Sequence, residues 1–464
     1  MSPVSPLSNA VLISAPGDTA YTVADAPRQL PVLRNGLAIL RDPLAFLNSL
    51  PQYGDFVRIR VGSWEAYVAC DPSLVLALLR NEPVFDKGGV MIEKIADFIG
   101  NGLPACPYSE HRRRRRAMQP AFDRRHLREY AEVMSRHIDR ATRKWTDGET
   151  VLPYREAFDI SSGVAAETLF GSTLDARTVT ELQQAIERLV RFGYRRLLTP
   201  AALQRLPTPQ NRRYARAKEY LWTTVHRILD DHRTGRTASS SLLARITTSA
   251  DGTADSAALS HDEAFDEVLG VLPASVETTA DAVAWAMLEL AHHPELHRRL
   301  TAECRDVLAD RPATWDDLPH LPLAGRVVNE VLRLYAPAWM LTREVRGDIL
   351  IGGRTVPAGT TVFYSPYLLH RRADLFPSPD AFLPDRWLDP ATPRRPGEGY
   401  IPFGAGARQC IGNDYGLTEA VRAVATIAAR WTVEFPAPTA PLRPSPQLTL
   451  VPPPVGVRVR AVAG

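Results

Sequence analysis

The sequence predicts a mainly α protein with a minor β portion, and three observations carry that reading. Apolar residues recur at helical spacing through most of the 464 residues. Strand signals are short and confined to two stretches, 55–70 and 348–365. One helical pattern, from Ser260 to His293, is far longer than the rest, and its middle is apolar nearly all round, as in a buried helix. Length alone allows two or three domains, or one large helical one.

The elements follow in order. The first thirty residues show no periodicity and are expected to form a flexible segment, with the folded chain spanning 31–464. "DFVRIRVGSWEAYVAC" (55–70) alternates as a hairpin does. Helices are expected over 126–144, 210–232 and 296–309, each with an apolar stripe. "TSADGTADSAALS" (248–260) is small and polar and reads as a surface loop. The long helix opens on an S-x-x-E capping box, Ser260 and Glu263, and runs to His293. At 1.5 Å per residue it would span roughly 48 Å, enough to cross a domain. Pro273 removes a backbone donor in its middle and should kink it. One turn later Glu277 and Thr278 put an acid and an alcohol where a core prefers neither. "DILIGGRTVPAGTTVFYS" (348–365) reads as strands around two glycine-rich turns.

Composition narrows the function classes. The formal charge of +3 gives no general basic field for nucleic acid. Four cysteines without a close pair exclude a disulfide framework and a thiolate zinc site, and suggest a reduced, cytoplasmic chain. With no signal-like opening and no long apolar run, neither secretion nor a membrane anchor is expected. His293 and His297 are separated by Pro294 and lack the H-E-x-x-H glutamate, so they read as surface histidines at a helix end.

The most particular stretch is "FGAGARQCIG", Phe403 to Gly412. Its cysteine, Cys410, stands just ahead of a helical segment, where unsatisfied N–H groups favour thiolate. Gly404, Gly406 and Gly412 let the backbone turn tightly and approach a flat ligand. Phe403 can shield the sulfur, and Arg408 can reach an anionic edge group. A buried packing cysteine needs none of this.

The segment resembles the haem-binding loop of the cytochrome P-450 family, the haem-thiolate monooxygenases, and other landmarks of that family follow in order from about residue 30. The resemblance implies a single large haem-binding domain, haem b (iron protoporphyrin IX) as cofactor, and Cys410 as the axial metal ligand. In "EVLRLYAP" and "FLPDRW" it implies a buried structural triad of Glu330, Arg333 and Arg386. In "SEHRRRRRAMQPAF" it places His111 and Arg115, one turn apart, on a haem propionate, with the other arginines as surface charge. It implies that Arg343 and Arg408 are further propionate partners. In "ASVETT" it makes Glu277 and Thr278 the pair that supplies protons, with Ser275 where the family usually has glycine.

The expected activity is therefore insertion of one oxygen atom from O₂ into an apolar small molecule, in secondary metabolism. Electrons are expected from a separate ferredoxin and its reductase, to a protein that is a monomer. Segments 88–100, 197–203 and 337–342 are apolar and expected to face the substrate. "FDKGG", "HRRRRRAMQPAF" and "RLPTPQNRRYARA" look most like bacterial terpene-oxidising members, so a terpenoid is the expected substrate, with polyketide or macrolide tailoring as the alternative. A peroxide-driven enzyme would not need the Glu277–Thr278 pair. A haem-thiolate gas sensor would show no substrate-induced spin shift.

Overall fold

The computed structural model describes residues 10–16, 20–27, 35–171, 174–199, 201–234, 241–247, 259–437 and 441–462. Its spine is the helix His261–His292, 32 residues long and unbroken through Pro273. The capping box forms as the sequence implies. The Glu263 N–H donates to Ser260 Oγ at 3.2 Å, and the Ser260 N–H to Glu263 Oε2 at 2.9 Å. Around this spine pack Pro153–Phe170, Pro322–Leu334 and Asn413–Arg430. The other expected helices lie at Arg124–Thr142, Pro209–Arg233 and Pro294–Leu308, close to their periodic stretches. Most of the expected loop 248–260 lies outside the described residues.

The β portion is set by pairings distant in sequence. The hairpin Phe56–Val61/Trp64–Ala69 forms in the register Phe56↔Ala69. It sits inside a six-stranded sheet, in the order Val23–Asp25, Phe56–Val61, Trp64–Ala69, Thr361–Tyr364, Leu341–Val345, Phe85–Asp86. Ile349–Ile351 and Arg354–Val356 pair across Gly352 and Gly353 at φ 51° and 74°, the left-handed values that glycine tolerates. A third sheet places Val457–Ala461 between Trp431–Glu434 and Thr150–Val151.

Four expectations need correction. Within the segment expected to be flexible, Val11–Ile13 pairs with Ile349–Ile351 and Val23–Asp25 with Phe56–Arg58. Three-residue strands carry no periodicity of their own; their partners order them. Arg114 is not surface charge but buried, its guanidinium 2.8 Å from Glu110, 3.3 Å from Glu267 and 3.7 Å from Asp266. His297 is buried too, and burial pushes its pKa down to about 4. The fourth correction, to the substrate-facing segments, comes with the cavity.

Glu330, Arg333 and Arg386 meet as a buried cluster. Glu330 Oε1 accepts from Arg333 Nη2 at 2.9 Å, Arg386 Nε at 2.9 Å and the Leu383 N–H at 2.9 Å. Its Oε2 accepts from Arg333 Nε at 3.0 Å and Trp387 Nε1 at 3.1 Å. Arg333 then donates to the carbonyls of His370, Pro379 and Ala381, tying the helix Pro322–Leu334 to the chain that leads towards Cys410. Such a pair is tolerable without water only because each polar atom has a partner.

Helices and sheet build two apolar cores, one helical and one around the six-stranded sheet. A cavity of about 310 Å³ opens where they meet, with Phe122, Leu169, Ala282 and Leu332 from the first and Leu341 and Tyr364 from the second.

Candidate active site

Cys410 opens onto this cavity inside the protein, whereas Cys70, Cys106 and Cys304 are packed in the cores. Its loop is locked by the backbone. The Cys410 N–H donates to the Phe403 carbonyl at 2.9 Å, and the Gln409 N–H to that of Gly406 at 3.1 Å. Gly404 and Gly406 adopt φ 71° and 69°. A Cβ on Gly406 would lie 2.1 Å from the Leu79 carbonyl oxygen, so only glycine fits that turn.

The helix that follows begins at Asn413, three residues past the sulfur. Burial pushes the Cys410 thiol up, while the Gly412 N–H, Arg115 and Lys87 pull the other way. Here burial wins, so the helix terminus does not hold a thiolate on its own. A metal on the sulfur would, since coordination deprotonates a thiol outright.

Cations crowd the same end of the cavity. Arg115 lines it, donating from Nη1 to the Gln409 carbonyl at 2.5 Å and from Nε to Gln119 Oε1 at 2.9 Å. His111 lines it as well and is 3% exposed; burial first, then Arg408 and Arg115, push its pKa down to about 3, so the ring is neutral. Arg343, from the strand Leu341–Val345, is buried beside them over the Tyr364 ring and donates to the Thr342 carbonyl at 2.9 Å. Arg408, expected on a propionate, departs from that expectation: its charge is already matched, with the guanidinium 2.8 Å from Glu82 and 3.0 Å from Asp86.

Lys87 is the residue that sequence reasoning missed. It lines the cavity, and burial, then Arg343 and Arg408, push its pKa down to about 7. The only signal was its place in "FDKGG", where a Cβ on Gly88 or Gly89 would lie 2.8 Å from Glu344 or 2.9 Å from Thr361. Among the described residues Lys87, Arg115 and Arg343 pair with no carboxylate. Cations gathered at a cavity without a carboxylate to match them call for an anionic ligand. A flat group with two carboxylates and a metal that takes a thiolate fits these residues.

The opposite wall is the long helix. Val271, Ala274, Ser275, Thr278 and Ala282 line the cavity at a spacing that makes one stripe. Both hydroxyls are bonded back to their own helix, Thr278 Oγ1 to the Ala274 carbonyl at 2.8 Å and Ser275 Oγ to that of Leu272 at 3.0 Å. Glu277 is absent from this lining. One residue back is roughly 100° around the axis, and its carboxylate meets Tyr154 Oη at 3.0 Å and Thr449 Oγ1 at 3.3 Å. Thus His111, Arg115, Thr278, Phe403, Gly404, Arg408, Cys410 and Gly412 share the cavity, while Arg343 and Glu277 stand behind its wall.

The lining corrects the expected substrate-facing segments. From 337–342 it takes Pro337, Ala338 and Leu341. Segment 88–100 contributes none of its described side chains, and most side chains of 197–203 lie outside the described residues; Leu103, Pro104 and Leu242 complete the lining. Apolar character identifies a buried face, not which neighbour it buries against.

The sequence matches the cytochrome P450 family over residues 26–459. It is 37% identical to a pentalenene oxygenase of Streptomyces avermitilis, over 91% of this chain and 94% of that one. A cyclooctatin synthase of Streptomyces melanosporofaciens is also 37% identical, over 92% and 93%. A cyclooctat-9-en-7-ol 5-monooxygenase of the same species is 38% identical, over 97% and 95%. Among the described residues no helix is long and apolar enough to cross a membrane. A thiol facing surplus cations under an apolar helix is the arrangement a haem-thiolate enzyme needs, and with that match the chain belongs to the cytochrome P450 family of monooxygenases.

Proposed function

We propose that this monooxygenase oxidises an apolar terpenoid, in secondary metabolism, with electrons from a separate ferredoxin and reductase. The observation that carries the substrate class is the wall facing Cys410. Leu103, Pro104, Val271, Ala274, Ala338 and Leu341 offer a guest no charge, only surface to exclude water. Relatives named for acting on pentalenene and cyclooctat-9-en-7-ol support the same choice.

Haem, when bound, supplies the oxygen activation. Cys410 would hold its metal through the sulfur. Lys87, Arg115 and His111, backed by Arg343, would hold its carboxylates; Arg408, engaged with Glu82 and Asp86, would fix the loop. The apolar wall orients the guest and keeps water from it. The Thr278 hydroxyl can pass a proton at Oγ1, because it accepts as well as donates. Glu277 supplies that proton from behind the wall.

Arg112 and Arg116 are exposed on the helix whose Arg115 reaches the loop of Cys410, which suits docking of an acidic ferredoxin close to the cofactor. The test is a spectral binding screen of the purified, haem-loaded, cytoplasmically expressed protein against terpenes and macrocycles. Polycyclic terpene hydrocarbons should give a substrate-induced spin shift. A shift with macrocyclic polyketides alone would move the enzyme to polyketide tailoring.

A further inference from the structure

We propose that Asp281 holds the proton that Glu277 supplies, so that the two form a proton store behind the long helix. This rests on the role given to Glu277 above. Asp281 lies one turn on, along the same face, and is 0% exposed. Neither of its carboxyl oxygens has a hydrogen-bond partner among the described residues. An acid so placed is costly as a carboxylate.

The surroundings decide which acid keeps the proton. Tyr154, from the helix Pro153–Phe170, and Thr449, from the chain before the strand Leu450–Val451, both donate to Glu277. The charged group facing the pair from the helix Ala176–Leu198 is Glu187, another acid. No lysine, arginine or histidine among the described residues pairs with either carboxyl. Two adjacent negative charges cannot both persist in such a place, so the pair keeps at least one proton. Glu277, bonded by Tyr154 and Thr449, is the better carboxylate; Asp281, whose one nearby donor is the Thr449 hydroxyl already given to Glu277, is the acid. Burial and its acidic neighbour push both pKa values up, in the same direction.

This fills a gap in the reaction. Converting R–H and O₂ to R–OH and water takes two electrons, from the reduced one-electron carrier, and two protons. Thr278 and Ser275 can relay a proton but hold none to spare, since each hydroxyl must be reprotonated. In the proposed step the O–H bond of Asp281 breaks and one forms on the Glu277 carboxylate, leaving the charge of the pair unchanged. Glu277 then releases that proton towards Thr278, and the pair refills past Glu187, which is half-buried. Asp281 acts through Glu277, as a positioning residue for its proton.

The test uses purified holoenzyme and infrared difference spectroscopy during a pH titration in H₂O and D₂O. Wild type should show the deuterium-sensitive carbonyl stretch of a protonated carboxylic acid at neutral pH, and Asp281→Asn should lose that band. Product formed per nicotinamide consumed is then measured against pH, with the terpene giving the largest spin shift in the screen. Asp281→Asn should lower it about tenfold at neutral pH, less than the roughly hundredfold that a direct general acid contributes. An unchanged band overturns the placement of the proton. A lost band with an unchanged product ratio and pH profile overturns its role in supply. If Asp281→Asn does not fold, Glu277→Gln decides: with the like charge gone, the Asp281 band should titrate at lower pH, and an unmoved midpoint refutes the pair. The infrared result stands whether or not a terpene is the substrate.

Discussion

Replacing Glu330 by glutamine tests what holds the haem-side scaffold. The side chain keeps its shape but loses its charge, and one carboxylate oxygen becomes an NH₂ group. If that group takes the place of Oε2, it faces the donors Arg333 Nε and Trp387 Nε1; in the place of Oε1 it faces three. The smaller loss is therefore two orphaned donors, at about 1–3 kcal/mol each, beside an Arg333 charge that is 0% exposed and no longer neutralised. Breaking a buried pair costs about 3–5 kcal/mol, so both routes meet near 4 kcal/mol. Urea denaturation of the holoenzyme, followed by far-ultraviolet circular dichroism, should show that loss for Glu330→Gln. Arg299→Ala, which breaks the exposed pair with Asp385, should cost under about 1 kcal/mol. Equal losses in the two variants would refute the reasoning.

Other outcomes follow from the site. Cys410→Ala should abolish the red-shifted Soret band of the reduced, carbon monoxide-bound protein; a retained band would assign the ligand elsewhere. Lys87→Met should release haem to apomyoglobin several-fold faster without moving that band, because it removes a cation near the carboxylates and leaves the sulfur untouched. Gly406→Ala should yield little haem-loaded protein, since the left-handed φ costs about 1–2 kcal/mol before the clash with Leu79. Thr278→Ala should change stability by no more than about 1 kcal/mol, yet release more hydrogen peroxide and less product per nicotinamide consumed. The double variant Ser275→Gly/Thr278→Ala should be worse than the two effects combined, if one hydroxyl substitutes for the other.

The loop of Cys410 was legible because its constraints are local: glycines at left-handed turns, and a cysteine held by its own neighbours' backbone. The long helix was legible because its capping box and length are written along one stretch. What escaped depends on residues brought together from afar. Lys87 matters only because Arg343 and Arg408 arrive beside it, and Asp281 only because no cation does. Arg114 reads as one arginine of five until Glu267 is placed opposite it. Glu277 was identified by pattern, but its direction, towards Tyr154 and not the cavity, needed the helix rotation and its neighbours.

The placement of Val457–Ala461 between Trp431–Glu434 and Thr150–Val151 bears on how the enzyme is made. Neither outer strand touches the other, so the sheet stays open on the ribosome until residues 457–461 emerge. The Thr449 hydroxyl and the Leu450 carbonyl, which hold Glu277 and Trp285 of the long helix, also arrive late. Cofactor capture should thus be a late event of synthesis, with a nascent chain stalled before residue 449 unable to retain haem. Redox proteins fused for engineering belong on a spacer beyond residue 462, where they leave the central strand free to insert.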